Sequence, residues 1–220
     1  MEYMIINWKG QSCFQILTTP NKHGQISIAV DPFDKETNLR VPKLQADILL
    51  VTHDHEDHNN VKAVSGDYLL IDGPGEYDVK SIFVQGIPSF HDNSQGKERG
   101  SNTIYTIEVE GIRICHLGDL GQKELSSEQL DKIGDIDILM IPVGGTYTID
   151  ANEAVKIMSQ IEPRIIIPMH YHLPKLKYKI DGIDKFFKAL SIKKAEVLPK
   201  LSIKKKDIST EEVKIIQLEP

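Results

Sequence analysis

Short apolar runs rich in β-branched residues, separated by Gly, Pro, Asn and Asp, dominate the chain. Runs of this length bounded by turn residues predict strands. They fall at Tyr3–Asn7, Cys13–Thr18, Gln25–Val30, Asp47–Thr52, Tyr68–Ile71, Ser81–Gly86, Thr103–Val109, Ile112–Cys115, Ile136–Ile141, Arg164–Pro168 and Val213–Leu218. Helical spacing is rarer. Asp150–Ile161 opens on an aspartate with Glu153 three residues later, the signature of a capped helix start. Asp181–Leu190 sets Ile183, Phe186, Phe187 and Leu190 on one face. Ser126–Ile133 and Asn59–Val64 carry fainter helical patterns.

The first half is thus mostly strand, and the second half alternates strand with helix. That order predicts an α/β (α+β) class of layered sheets with helices outside. With no internal repeat and no long low-complexity linker, residues 1–220 read as one domain. His91–Ser101, rich in Asn, Ser, Gly and charge, is the clearest loop, and Gly73–Tyr77 reads as a tight turn. The lysines of Lys193–Lys206 read as a solvated face. Tyr3–Asn7 and Val213–Leu218 are candidate edge strands, through which copies of the chain would pair into a homo-oligomer.

Composition narrows the partners. Of the 220 residues, 40% are hydrophobic and 26% charged, as in ordinary globular proteins. A formal net charge of -6 argues against a chain that holds bulk nucleic acid. It leaves room for a small, anionic substrate, because a bound metal dominates local charge. Two cysteines, Cys13 and Cys115, make no disulfide framework. Met1–Gly10 lacks the pattern of a signal peptide. No apolar run approaches the roughly 18 residues that span a bilayer. A cytoplasmic location without a membrane partner is expected.

The chemistry concentrates in Thr52-His53-Asp54-His55-Glu56-Asp57-His58, directly after the apolar run that ends at Val51. Imidazoles and carboxylates are the ligands that suit zinc and its neighbours. In a tight turn, His53 and His55 can face one metal while Asp57 and His58 face a second. A polar surface loop is the plain alternative. One cluster cannot complete two coordination shells, so further ligands must come from elsewhere. His91, Asp119 and His170 each stand just past a predicted strand, where open sheets collect functional groups.

Other residues carry bland readings as well as functional ones. His172 competes with His170 as a ligand, and His116 reads as a structural or supporting histidine. His23, in a Pro-Asn-Lys-His-Gly turn, reads as a solvated loop residue. Tyr147 and Tyr171 flank site segments, where a phenol either meets substrate or packs. Lys97 and Arg99, in the loop after His91, either touch a phosphate or are solvated. Asp54 and Glu56 receive no role.

His53, His55, Asp57, His58, His91, Asp119 and His170 together resemble the metal signature of the metallo-β-lactamase fold superfamily. The likeness extends to Trp8-Lys9-Gly10-Gln11-Ser12-Cys13-Phe14, Asp31-Pro32, Gly118-Asp119 and Pro168-Met169-His170-Tyr171. It leans toward the branch of ascorbate-phosphate lactonase-like and zinc-dependent hydrolase-like proteins. The resemblance implies a four-layer αββα sandwich with the site at one edge. It implies that His53, His55 and His91 hold one metal and that Asp57, His58 and His170 hold another. Asp119 would bridge the two, and Asp31 would support the ligands.

The implied function is a metal-dependent hydrolase. Two divalent ions, zinc first and manganese or iron as competitors, would lower the pKa of a bound water toward about 7. The resulting hydroxide would attack a small ester, lactone or phosphodiester, with Asp57 as ligand and catalytic proton acceptor. A nuclease-like phosphodiesterase and a non-catalytic metal-binding or sensing module are the alternatives. Asp119 stands where common β-lactamases carry cysteine, which argues against β-lactam hydrolysis. His55 stands where flavodiiron-like members carry glutamate, which argues against electron transfer.

Overall fold

The computed structural model describes residues 3–20, 24–209 and 211–220. The turn containing His23 lies outside them. Alternating burial in the first two strands follows the alternating sequence, because successive side chains point to opposite faces of a sheet. In chain order the strands of the first half are β1 (Met4–Trp8), β2 (Phe14–Thr18), β3 (Ile26–Val30), β4 (Leu44–Gln45), β5 (Ile48–Leu50), β6 (Val64–Ser65), β7 (Leu69–Ile71), β8 (Gly75–Val79), β9 (Ile82–Phe90) and β10 (Ser101–Val109). The second half runs β11 (Ile112–His116), α1 (Ser127–Ile133), β12 (Ile138–Pro142), α2 (Ala151–Ile161), β13 (Ile165–Met169), α3 (Ile183–Ala189), β14 (Glu196–Leu198), β15 (Leu201–Ile203) and β16 (Lys214–Leu218).

Two main sheets result. One has the order β15-β1-β2-β3-β5-β7, the other β14-β16-β13-β12-β11-β10-β9-β8. A single apolar cluster joins Ile6, Phe14, Ile16 and Ile28 of the first to Val84, Ile104, Ile107 and Ile114 of the second. β12 and β13 are buried at every position, which requires cover on both faces. The helices supply it through Ile133, Ala154, Ile157, Phe186 and Phe187. The other face of the first sheet is covered by Phe33, Leu44, Ala46 and Val64, from the β4–β6 ribbon and adjoining turns. This is the expected four-layer sandwich, with short turns forming one outer layer.

Helices α1 and α2 open on capping boxes, Ser126 with Gln129 and Asp150 with Glu153, whereas α3 begins after Gly182 with no side-chain cap. Three expectations fail. Asn59–Val64 is no α-helix: a 3-10 turn at Val61–Ala63 runs straight into β6, since Val64 must pair beside Leu44. Gly73–Tyr77 is not simply a turn, because Gly75–Val79 pairs antiparallel with β9. Neither terminal run is a sheet edge. β1 lies between β15 and β2, and β16 between β14 and β13, so both are already paired on both sides. The lysine-rich tail provides β14 and β15.

The topology gathers the chemistry. β9 and β11 each run antiparallel to β10, hence parallel to each other. β11, β12 and β13 are also mutually parallel, so all four strands end on one side. The parallel pair β3 and β5 ends beside them. The Thr103 amide donates to the Thr52 carbonyl at 2.9 Å, tying the two sheets together at that end.

Candidate metal centre

The loop after β5 is held open by one aspartate. Asp31 lies just past β3 at φ 47°, a conformation that few residues other than glycine adopt. Its carboxylate accepts from the Thr52 amide and the Thr52 hydroxyl, both at 2.8 Å, and faces His58 Nδ1 at 2.8 Å. Thr52 in turn contacts His53 Nδ1 at 3.0 Å through its hydroxyl. Both imidazoles therefore have one nitrogen fixed by the protein and Nε2 left over. His91 follows β9, Asp119 follows β11 and His170 follows β13.

All seven residues converge in two groups. His53, His55 and His91 place ligand atoms within 4.8 Å of one another, as do Asp57, His58, Asp119 and His170. Each group draws on both sheets. Asp119 reaches both groups: Oδ1 lies 3.2 Å from His58 Nε2, and Oδ2 lies 3.4 Å from His91 Nε2 and 3.2 Å from His170 Nε2. The His53 ring stands 4.6 Å from His55 and 4.7 Å from His91, centroid to centroid.

This donor set fits a metal. His53 Nε2 and His58 Nε2 are buried without a hydrogen-bond partner. Buried polar atoms are ordinarily satisfied, so unpaired imidazole nitrogens gathered with carboxylates suit a cation. The carboxylates favour positive charge in the site. Burial, then neighbouring His58, lowers His53 to about 2, so its nitrogen stays available. Burial alone would depress His170, but Asp119 and Asp57 outweigh it and raise the imidazole to about 9. Burial alone would raise Asp119, yet the His170 and His58 imidazoles hold it well below the usual carboxylate range.

A supporting ring surrounds these residues. Ser12 Oγ donates to Asp119 Oδ1 at 3.1 Å, and Asn102 Oδ1 accepts from the Asp119 amide at 3.0 Å. Gln11 Nε2 donates to Asp57 Oδ2 at 3.3 Å. Gln11 and His170 both have φ 49°, so left-handed residues cluster here. His116 is structural: Nε2 meets the Ser12 carbonyl at 2.9 Å and Nδ1 accepts from the Gly118 amide. His172 is exposed and belongs to neither group. Tyr171 packs on Trp8, 5.0 Å between centroids, away from the opening. Asp54 and Glu56 are exposed, and Asp54 accepts from the Asn59 side chain.

The opening is a cavity of about 210 Å³ lined by His55, Asp57, His91, Arg99, Asp119, Tyr147, His170 and Tyr178. Lys97 does not line it. Tyr178 lies in an irregular stretch with no sequence signal. Burial, then the Asp57, Glu56 and Asp34 carboxylates, push its phenol up to about 12, so it keeps its proton.

The profile of the β-lactamase superfamily domain matches residues 5–170. The chain belongs to the metallo-β-lactamase superfamily. Among its relatives is a UPF0173 metal-dependent hydrolase from Thermococcus onnurineus, 29% identical over 197 residues, covering 76% of this chain and 84% of the relative. Another of that name, from Staphylothermus marinus, is 30% identical over 199 residues, covering 76% and 83%. A crystal structure from Thermotoga maritima, assigned as a Zn-dependent hydrolase of the metallo-β-lactamase superfamily, superposes with a TM-score of 0.79. It is 34% identical and 98% of each chain is covered. Among the described residues of this superfamily member, no helix is long and apolar enough to cross a membrane.

Proposed function

We propose that the chain is a metal-dependent hydrolase acting on a small ester, lactone or phosphodiester. His53, His55 and His91 would hold one divalent cation, and Asp57, His58 and His170 a second, with Asp119 between them. The observation that carries this reading is the pair of ligand groups joined by Asp119, with buried imidazole nitrogens that no protein group satisfies. Nitrogen and carboxylate donors suit zinc first, and manganese or iron next. A bound pair of such ions supplies Lewis acidity and a nucleophile from water at neutral pH.

The chain's own residues do the rest. Asp31 and Thr52 orient His58 and His53 before anything binds. Asp57, 15% exposed at its side chain, lines the cavity and would take a proton from water. The Gln11 amide restrains that carboxylate. The small cavity and the net charge of -6 favour a small molecule over a nucleic acid.

Elemental analysis of the purified chain, after reconstitution with zinc or manganese, tests the reading beside Asp119→Asn. Close to two metals per chain, lost in the variant, with turnover of an ester, lactone or phosphodiester, is the expected result. Failure to bind either metal overturns it. Full occupancy with no turnover across the panel would leave a metal-sensing module instead.

A further inference from the structure

The hydrolase reading leaves one cation at the mouth of the site without a task. Arg99 lines the same cavity as His55, Asp57 and Asp119. Its guanidinium carbon sits 4.8 Å from the centroid of the Tyr147 ring. Tyr147 is itself edge-on to Tyr178, at 6.1 Å between centroids, and Tyr178 lines the same cavity. Among the described residues no carboxylate forms an ion pair with Arg99, although Asp92 and Glu98 stand in the same loop.

Its placement is built, not incidental. Asp92, next to His91, accepts four backbone amides of the loop. Oδ1 takes Ser94 at 2.7 Å and Gly96 at 2.9 Å; Oδ2 takes Glu98 at 3.0 Å and Arg99 at 2.8 Å. That one carboxylate winds the loop so that Arg99 returns over the site. The Tyr147 face then fixes the guanidinium by a cation–π contact, leaving its planar donors free. A half-buried arginine so held presents a two-pronged donor fork, the geometry that matches a carboxylate or phosphate.

We propose that Arg99, backed by Tyr147 in the cavity that Tyr178 also lines, forms an anion subsite that selects substrates carrying a second, non-scissile oxyanion. The proposal rests on the hydrolase reading for what happens at the metals, and adds what the rest of the substrate must look like. The scissile carbonyl or phosphoryl group lies toward Asp57 and Asp119. The remote carboxylate or phosphate lies under Arg99. The cavity of about 210 Å³ keeps the two ends within one small molecule. A neutral ester would lack the contact.

The test uses the zinc-loaded chain and three esters with one scissile bond: 4-nitrophenyl acetate, 4-nitrophenyl hydrogen succinate and 4-nitrophenyl phosphonoacetate. Native protein should prefer one or both anionic esters by kcat/KM. In Arg99→Gln that preference, taken as a ratio to the acetate, should fall about 10- to 100-fold, mainly through KM. Arg99→Lys should restore part of it. Tyr147→Leu should reduce it, and Tyr147→Phe, which keeps the ring, should retain more. The anionic ester that loses most identifies the oxyanion as carboxylate or phosphate. An unchanged ratio in Arg99→Gln overturns the subsite. Calorimetric titration with inert amides, N-(4-nitrophenyl)succinamic acid against 4-nitroacetanilide, reads the subsite without turnover. Tighter binding of the anionic amide to native protein than to Arg99→Gln supports it even if no ester is cleaved, in which case only the hydrolase reading fails. Equal or unmeasurable binding of that amide overturns it.

Discussion

Asp31 Oδ2 stands 2.8 Å from His58 Nδ1, and both side chains are fully buried. This carboxylate fixes the ring so that Nε2 alone faces Asp119 and Asp57. Asp31→Asn should keep the backbone, since asparagine tolerates left-handed φ. It should nevertheless weaken zinc binding about 10- to 100-fold, because the amide cannot accept from Thr52 and His58 as the carboxylate does. Competition with a chromogenic chelator measures this. An unchanged affinity would remove Asp31 from the supporting set.

Gly118 bridges β11 and Asp119 at φ 56°, and a Cβ there would collide with the Asn102 Oδ1 and with Thr52. Asn102 is the group that accepts from the Asp119 amide. Gly118→Ala should therefore destabilise the chain by about 1–3 kcal/mol and also lower metal occupancy. Urea unfolding and elemental analysis read the two effects; a stability loss with full occupancy would show that Asp119 is placed independently.

Much of this was legible in the chain. The seven candidate ligands were visible because each stands at the end of an apolar run, and parallel strands bring such ends together. Most strands followed from their β-branched runs, but β4, β6, β8, β14 and β15 did not. What escaped was set by tertiary pairing. Val64 looks helical by local spacing but pairs with Leu44, and Gly75–Val79 has polar positions that become a strand only beside β9. Gln11, Ser12 and Asn102 carry no pattern that distinguishes a buried partner from a turn residue. Tyr178 reaches the site from an irregular loop, and Arg99 depends on four amides converging on Asp92.

The fully buried Tyr105 belongs to the second sheet, yet its hydroxyl lies 2.9 Å from the Val51 carbonyl and 3.1 Å from the Ile71 carbonyl of the first. Tyr105→Phe removes the donor while keeping the ring. It should cost about 1–3 kcal/mol, measured as a shift in the urea midpoint with unchanged m. A shift within error would mean that those carbonyls find other donors.

Asp47 accepts from Lys80 Nζ at 2.6 Å and from the Ser27 amide at 2.9 Å. Burial alone would raise this carboxyl, but the Lys80 contact and the Ser27 amide outweigh it and lower it. A depressed folded value contributes stability that is present above the unfolded value and lost as pH falls through the folded one. The pair is substantially exposed, so Asp47→Asn should cost at most about 1 kcal/mol at pH 7. The gap between native and variant should close in acid, below the folded value. Paired urea titrations at neutral and acid pH check this, and a gap that persists in acid would contradict it.

Because each ligand group takes members from both sheets, neither sheet by itself supplies a complete group. Residues 53–58 belong to one layer, and His91, Asp119 and His170 to the other. On the proposed ligand set, metal capture would be a late event in the life of a newly made chain, possible only once the layers have docked. An ion caught there would act as a rivet across the sandwich. The rate at which affinity for zinc appears during refolding would then be a clock for the docking of the two sheets, readable without any knowledge of the substrate.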